Sequence, residues 1–423
     1  MQLAGQGVEA TIFEMKPEKY SPAHQSPALG ELVCSNSLRS QEKVTGVGLL
    51  KEEMQKLGSL IMKAAQECRV PAGKALAVDR ERFADYLTRS MQEHELIRVV
   101  RKEIQDLDDP VLQKFDAVII AAGPLVSDPL AESLFRIIGD QDLYFYDAIA
   151  PIVSADSIDY NKAFWGSRYN PEDDSYLNCP MNQDEYYRFY RELINAEKVP
   201  ARDFEEEKHF QGCMPIEAMA EKGELTMAFG PLKPVGLVDP RTNEQPFAVV
   251  QLRAENLEKT AFNLVGFQTR LKLGEQKRVF TMIPGLENAE FLRLGSMHRN
   301  TFVNAPQVLT PDLELRVRSG IYLAGQISGV EGYVESAASG LWLGLKLGLE
   351  ARGKKPAFPP RETALGALVS HLQSDAKNFQ PSNIHFGLFP SLKVKAKKSR
   401  RKELYAQRAE ESFEHWLTEL DKN

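Results

Sequence analysis

The stretch Gly320-Ile-Tyr-Leu-Ala-Gly-Gln-Ile-Ser-Gly-Val-Glu-Gly-Tyr-Val-Glu335 joins a short apolar run to a glycine-rich turn and the start of a helix. A similar run, Phe115-Asp-Ala-Val-Ile-Ile-Ala-Ala-Gly123, also stops at a glycine, which Pro124 follows. A short apolar run bounded by a turn signal is typical of a buried strand. Because such strands alternate with helical segments, the chain predicts an α/β fold with a mainly parallel sheet. Glycines between strand and helix let a ligand approach the backbone, and the helix N-terminus favours negative charge.

The first strand-like run, Val8 to Phe13, ends in the acid Glu14. In a dinucleotide-binding fold, a carboxylate near the end of such a strand accepts a hydrogen bond from a ribose hydroxyl. The polar loop Glu31-Leu-Val-Cys-Ser-Asn-Ser-Leu-Arg39 follows, and its arginine favours the thiolate form of Cys34. A lone cysteine in a loop is more often an inert small residue. We therefore treat Cys34 as a candidate thiol beside a bound nucleotide, and the inert alternative stays open.

Composition is that of an ordinary globular protein: 423 residues, of which 43% are hydrophobic and 26% charged, enough for two domains. No apolar run approaches the ~20 residues that cross a bilayer, and the first residues do not read as a signal peptide. A cytoplasmic protein without a membrane partner is therefore expected. The net charge of -7 argues against a uniformly basic nucleic-acid binder, although a local basic face is compatible with it.

The four cysteines are widely separated, with no C-x-x-C motif and no histidine pair at ligand spacing, so we predict no metal site. One of them, Cys213, lies in Phe210-Gln-Gly-Cys-Met-Pro-Ile-Glu217. Glycine and proline on either side predict a tight turn, which exposes a side chain rather than burying it. A structural turn with an inert thiol is the alternative.

Periodic apolar residues predict one helix from about residue 46 to 66, and Asp79 predicts the start of another. Between residues 176 and 284, shorter pieces punctuated by Pro, Gly and Lys suggest an α+β insertion. We predict a discontinuous dinucleotide-binding domain at 1–175 and 285–390, an insertion domain at 176–284 and a basic C-terminal tail helix at 391–423. The tail is either a solvated charge run or an arm that contacts RNA phosphates. Its basic residues are Lys393, Lys395, Lys397, Lys398, Arg400, Arg401 and Lys402.

A dinucleotide-binding fold normally opens with a strand, the motif G-x-G-x-x-G and a helix. This chain starts at Met1-Gln-Leu-Ala-Gly5, which we interpret as the end of that helix, so the first strand and glycine loop are expected to be missing. A start codon placed too late in the gene is the explanation we favour. A chain that truly begins here and binds its cofactor weakly is the alternative.

The motifs around Cys34, Cys213 and Gly325 together resemble the folate- and FAD-dependent tRNA (uracil-5-)-methyltransferases, TrmFO, which are related to MnmG (GidA). The resemblance runs from about Val8 to Phe389. It implies a discontinuous FAD-binding Rossmann-like fold of the glutathione-reductase type. It also implies methylation of uracil C5 in the T-loop of tRNA, giving 5-methyluridine. The carbon donor is then 5,10-methylenetetrahydrofolate, and the reductant is FAD reduced by NADPH or NADH.

The resemblance also implies roles for individual residues. Cys213 is the favoured nucleophile for C6 of uracil and Cys34 lies near the flavin, although their roles are interchangeable on spacing alone. The implied cofactor-binding residues are Glu14, Met15, Ser35, Asn36, Leu38, Gly123, Pro124, Gly325, Gln326, Gly329, Gly332 and Tyr333. Further basic and polar candidates for folate or RNA binding are Lys233, Arg293, His298, Arg299, Asn300 and Phe302.

Three alternatives stay open. Some relatives of this kind act on ribosomal RNA. A wobble-uridine modifier like MnmG shares the Gly325 pattern, although the chain is short for that group. The third alternative is a flavin-free RNA-binding relative. The sequence indicates no protein partner.

Overall fold

The computed structural model describes residues 1–139, 142–170, 173–199, 214–374, 379–394 and 397–422. Its strands, numbered along the chain, are β1 Ala10–Glu14, β2 Ser37–Ser40, β3 Arg69–Val70, β4 Ala75–Val78, β5 Ile97–Arg101, β6 Val118–Ile120, β7 Asp142–Ile149, β8 Ile152–Ser154, β9 Phe164–Gly166, β10 Tyr176–Met181, β11 Ala248–Ala254, β12 Ala261–Leu264, β13 Phe291–Arg293, β14 Ser296–Val303 and β15 Ile321–Leu323.

The α-helices are α1 Gln2–Gly5, α2 Gly46–Lys56, α3 Leu60–Glu67, α4 Arg80–Gln92, α5 Asp128–Ile138, α6 Gln183–Asn195, α7 Ile216–Ala220, α8 Thr226–Phe229, α9 Leu273–Phe280, α10 Ala305–Val308, α11 Tyr333–Ala351, α12 Ala364–His371 and α13 Lys398–Lys422. Within the described ranges, none of these helices combines the length and the apolar character that crossing a bilayer requires.

Parallel strand pairs carry the first unit of the fold. Strand β1 pairs with β5, and β6 pairs with β15. The runs ending at Glu14, Gly123 and Gly325 are therefore strands, and the predicted α/β class is confirmed. In the part of the chain that the structure describes, the second edges of β1 and β6 have no paired strand. A small antiparallel sheet, β2-β4-β3, lies beside these pairs and carries the Cys34 loop into β2.

Local signals explain where the first helices begin and end. Asp79 accepts a hydrogen bond from the Arg82 N–H at 3.1 Å, so the predicted start of α4 is confirmed. The prediction of one helix from 46 to 66 is wrong, because the chain breaks into α2 and α3. Gly58 adopts a left-handed conformation with φ 70°, and Ser59 then caps α3 through its bond from the Met62 N–H.

The larger core lies between α2, α11, α12 and α13. Trp342 of α11 meets Trp416 of α13 with ring centroids 5.9 Å apart. The indole N–H of Trp416 also donates to the Ala357 carbonyl at 2.9 Å. Ala409 and Phe413 are buried on the same face of α13. The predicted amphipathic tail helix is therefore present, and it is packed on the body of the protein.

A second core belongs to a six-stranded antiparallel sheet in the order β13-β8-β12-β11-β10-β9. Phe189 of α6 and Phe280 of α9 both contact Phe267, which precedes α9, and all three side chains are fully buried in this core. The sheet takes strands from outside residues 176–284, since β8 and β9 precede that range and β13 follows it. We therefore propose that the insertion unit extends from Ala150 to Arg293.

Candidate functional site at the junction of the two units

The Cys34 loop meets the first turn of α11. The hydroxyl oxygen of Tyr333 accepts hydrogen bonds from the Cys34 N–H at 2.8 Å and from the Cys34 thiol at 3.0 Å. Removal of water by the surrounding protein raises the pKa of Tyr333 well above its usual value, and the neighbouring Cys34 acts in the same direction. The phenol is therefore neutral over the physiological range. Two residues that the sequence singled out separately thus form one contact.

Two residues next to Cys34 are bound to the insertion unit. The fully buried Asn36 amide donates to the carbonyls of Val78 at 3.0 Å and Ala254 at 2.9 Å. Its carbonyl oxygen accepts a bond from Nε of Arg253 at 2.9 Å, and Nη2 of Arg253 donates to the Ser35 hydroxyl at 2.8 Å. Because buried polar groups must be satisfied, these bonds fix the loop where the two units meet.

Three arginines surround this loop: Arg253, described above, Arg80 and Arg293. Arg80 pairs with Glu255 at 2.5 Å and donates to the Leu32 carbonyl. Its Nη2 is buried and has no hydrogen-bond partner among the described residues. Arg293 donates to the Ala23 carbonyl at 3.3 Å, and burial followed by the charge of Arg80 lowers its pKa.

Three guanidinium groups therefore lie near Cys34, an arrangement that favours anionic ligands. Arg293, a candidate binding residue from the sequence, belongs to this group. The sequence did not identify Arg80 or Arg253 as site residues. A charged residue inside the buried strand β11 was the one available signal for Arg253.

The glycine-rich turn before α11 has the conformation that its sequence predicts. Gly325, Gly329 and Gly332 have φ values of 77°, 94° and 104°, in the left-handed region that disfavours other residues. A Cβ on Gly329 would lie 2.5 Å from the Phe379 ring, and one on Gly332 would lie 2.6 Å from a Glu335 oxygen. The side chain of Gln326 donates within the turn to Glu331 at 2.6 Å.

The remaining cofactor candidates lie in different surroundings. Glu14 and Met15 are half-buried at the carboxyl end of β1, and Glu14 accepts the Lys16 N–H at 3.0 Å. Gly123 has φ 71° and open space beside its α-carbon, and the Pro124 carbonyl accepts the Thr301 N–H at 3.0 Å. Leu38, by contrast, is buried in the core.

The other thiols differ sharply from Cys34. Burial raises the pKa of Cys179 to about 12 and also raises that of Cys68. Both are buried, which fits inert structural thiols. Cys213 lies outside the described residues, so its prediction as the nucleophile stays untested. Among the described residues, no group of three His, Cys, Asp or Glu side chains is arranged to hold a metal ion.

The basic tail residues lie just before α13 and in its first turns. Lys393, Lys397, Arg400, Arg401 and Lys402 are exposed. Lys395 lies outside the described residues, and the side chain of Lys398 is likewise not described. The first turn of α13 contains no acid. Cations at this end of a helix oppose the helix dipole, so the cluster does not serve helix stability.

Comparison with known proteins identifies the group to which this site belongs. The family model described as glucose inhibited division protein A matches residues 1–355. Three similar proteins are named methylenetetrahydrofolate–tRNA-(uracil-5-)-methyltransferase TrmFO. The Oleidesulfovibrio alaskensis protein is 62% identical over 99% of this chain and 94% of its own length. The Geobacter sulfurreducens protein is 58% identical over 98% and 95%, and the Aquifex aeolicus protein 53% identical over 99% and 93%.

A solved structure supports the fold. GidA from Aquifex aeolicus, in its form II crystal, superposes with a TM-score of 0.68 over 98% of this chain and 70% of its own. At 16% identity, this likeness shows the fold alone, and it confirms the predicted dinucleotide-binding class. The 53–62% identities confirm the resemblance that the motifs indicated. The chain therefore belongs to the GidA family and, within it, to the group of proteins named TrmFO.

Proposed function

We propose that this protein methylates C5 of uracil in the T-loop of tRNA, producing 5-methyluridine. The carbon comes from 5,10-methylenetetrahydrofolate, and FAD reduced by NADPH or NADH supplies the electrons. The observation that carries the proposal is the Cys34–Tyr333 contact at the arginine-rich junction, in a chain 62% identical to a protein named for this activity. A tRNA substrate implies a cytoplasmic location.

The residues at the junction fit a flavin. The glycine-rich turn leads into the N-terminus of α11, and a helix of 19 residues stabilises negative charge at that end. Glu14 stands at the carboxyl end of β1, where a ribose hydroxyl would bind. We assign Gly325, Gly329, Tyr333 and Cys34 to the ring end of the site. When bound, FAD supplies the reducing equivalents that convert a methylene group to a methyl group.

Two thiols divide the remaining chemistry. C5 of uracil is a poor nucleophile until a thiolate adds at C6, and Cys213 is our candidate for that addition. Of the cysteines that the structure describes, Cys34 alone is not buried, and Tyr333 holds its thiol in place. Support for Cys213 rests on its sequence motif, and the division of roles between the two thiols stays a proposal.

The basic residues at the start of α13 are proposed to contact RNA phosphates. Trp416 and Phe413 pack the C-terminal half of α13 into the core. The exposed cations at its N-terminal end are therefore attached to a helix that is fixed on the protein. A bound phosphate would relieve the unfavourable placement of cations at the helix N-terminus. This explains a charge pattern that helix stability alone disfavours.

The deciding experiment is mass spectrometry of nucleosides from a strain lacking this gene, with tRNA and ribosomal RNA analysed separately. We expect 5-methyluridine to disappear from tRNA and to return when the gene is restored. Loss from ribosomal RNA alone would favour the ribosomal alternative. Loss of a wobble-uridine modification instead would contradict the proposal.

A cheaper observation separates an enzyme from a flavin-free binder. Purified protein incubated with FAD and passed over a desalting column should retain a flavin absorption band. A protein that leaves the column without a flavin band after incubation with saturating FAD, yet binds tRNA, would support the flavin-free alternative.

A further inference from the structure

The end of the Cys34 loop is held in an unusual backbone conformation. Arg39 has φ 62°, a left-handed value that costs a non-glycine residue free energy. The side-chain nitrogen of Lys51, on the neighbouring helix α2, donates to the carbonyls of Arg39 at 2.9 Å and Ser40 at 2.6 Å. Lys51 is 4% exposed, so these bonds form away from water. Helix α2 thereby stabilises a conformation that the loop would otherwise avoid.

This conformation directs the Arg39 side chain at α11. Its guanidinium forms an ion pair with Glu335, whose side chain is fully buried. The same Glu335 oxygen accepts the Ile384 N–H at 2.9 Å. A buried carboxylate that loses its cation carries a large desolvation penalty, so Arg39 and Glu335 hold each other in place.

Two contacts consequently join the loop to a single turn of helix. Arg39 binds Glu335, and Cys34 binds Tyr333, two positions earlier in α11. Because Tyr333 and Glu335 share one turn of helical backbone, we expect a change at one contact to disturb the other. The loop is therefore joined to the N-terminal turn of α11 at two points, and Lys51 binds the loop backbone at Arg39 and Ser40.

We propose that Arg39, Glu335 and Lys51 are positioning residues that set the Cys34 thiol against the Tyr333 hydroxyl. They act through the ion pair and the hydrogen bonds described above, and they touch no reacting atom. Their importance for catalysis rests on the proposed function, whereas the effect on the Cys34 thiol does not.

The test measures alkylation of each cysteine by iodoacetamide, with mass spectrometry of the peptides, in the full-length protein. In Arg39→Gln and in Glu335→Gln, Cys34 should react about fivefold faster, as expected for loss of one hydrogen bond. Arg39→Gly keeps the left-handed backbone without strain and should behave like Arg39→Gln, because the guanidinium is what matters. Arg39→Lys should restore most of the wild-type rate.

Buried Cys68 and Cys179 serve as internal controls, and Arg98→Gln removes an exposed arginine elsewhere. An unchanged Cys34 rate in folded Arg39→Gln would overturn the proposal. Equal acceleration of all three thiols would also overturn it, since the ion pair would then merely hold the fold together. Should Glu335→Gln fail to fold, the half-exposed Arg39 variants decide the matter alone.

An activity assay keeps the two proposals apart. If this protein is the proposed methyltransferase, Arg39→Gln should lower kcat and leave KM for tRNA unchanged. Faster Cys34 alkylation without any methyltransferase activity in the wild type would contradict the proposed function and retain the positioning role.

Discussion

The surroundings of Cys34 and Cys179 show how one residue type takes on two characters in a single chain. Cys34 lies at a junction of hydrogen-bonded polar groups, with Tyr333 against its thiol and three arginines nearby. Cys179 lies inside the apolar core of the insertion unit, where burial raises its pKa to about 12. Charge and access, rather than the presence of sulfur, therefore separate a candidate catalytic thiol from a packing residue.

The largest expected effect follows from replacing the thiols one at a time. Cys213→Ala and Cys34→Ala should each reduce 5-methyluridine formation below detection, because both are assigned to the chemistry. Cys179→Ala should keep full activity at 25 °C and lose about 1–2 kcal/mol of unfolding free energy from poorer packing. Activity assays and urea unfolding on the three variants measure both quantities. Full activity in Cys213→Ala would remove that residue from the mechanism.

The next effect concerns RNA affinity. Replacing the seven basic residues of the tail, Lys393 to Lys402, with Gln should weaken tRNA binding and flatten its salt dependence by about 0.7–0.9 in slope for each phosphate that the variant no longer neutralises. The same variant should be slightly more stable, since cations leave the helix N-terminus. Binding measured between 50 and 200 mM salt, roughly the range where such interactions dominate, tests the slope. A variant replacing the exposed Lys63 and Arg98 is the control, and equal slopes would make the tail a bystander.

A smaller effect is expected at the junction itself. Asn36→Ala should lower the free energy of unfolding by about 2–4 kcal/mol, because three buried hydrogen bonds disappear and Arg253 is left partly unsatisfied. Urea unfolding measures this change. Asn161→Ala, at an exposed position, should change it by less than about 0.5 kcal/mol. Similar small changes in both variants would mean that the junction is not rigid.

A further effect is a change in pH dependence on α2. Burial raises the pKa of Glu53 to about 8, although two backbone N–H groups favour its carboxylate. The folded state then holds the Glu53 proton more tightly, so this contribution to stability is complete below about pH 4.5 and is lost as the pH rises through 8. Unfolding free energies at several pH values should show a decline in the wild type that Glu53→Gln lacks. An identical decline in the variant would contradict the assignment.

Lys51, on the same helix, should act in the opposite direction. Burial lowers its pKa to about 7 from 10.5, so the unfolded state binds the proton more tightly between these values. Stability should therefore rise with pH above 7, by at most ~1.4 kcal/mol per pH unit. Lys51→Met should lose this rise, which urea unfolding between neutral and alkaline pH would detect. A rise that persists in the variant must come from other groups.

Local patterns predicted much of the first unit. The strand-turn-helix at Gly320–Glu335, the cap at Asp79 and the apolar face of the tail helix depend on neighbouring residues, so they were readable from sequence. The break at Gly58 was missed because apolar periodicity continues on both sides of it. Arg80 and Arg253 were missed for another reason. Arg80 is 48 residues along the chain from Leu32, to which it donates, and Arg253 lies in the insertion unit, so no local spacing encodes their approach to Cys34. Glu335 was quoted within a motif, but its partner Arg39 lies 296 residues away.

The bonds from Asn36 to Arg253 and Ala254 have a consequence for how the molecule melts. Separating the two units would break the hydrogen bonds that join Asn36 and Ser35 to β11, each contributing roughly 0.5–1.5 kcal/mol, or about 1.5–3 kcal/mol where a charged group takes part. Calorimetry should accordingly record one cooperative heat-absorption peak instead of two. Asn36→Ala removes the Asn36 bonds to β11 and is the change expected to split that peak.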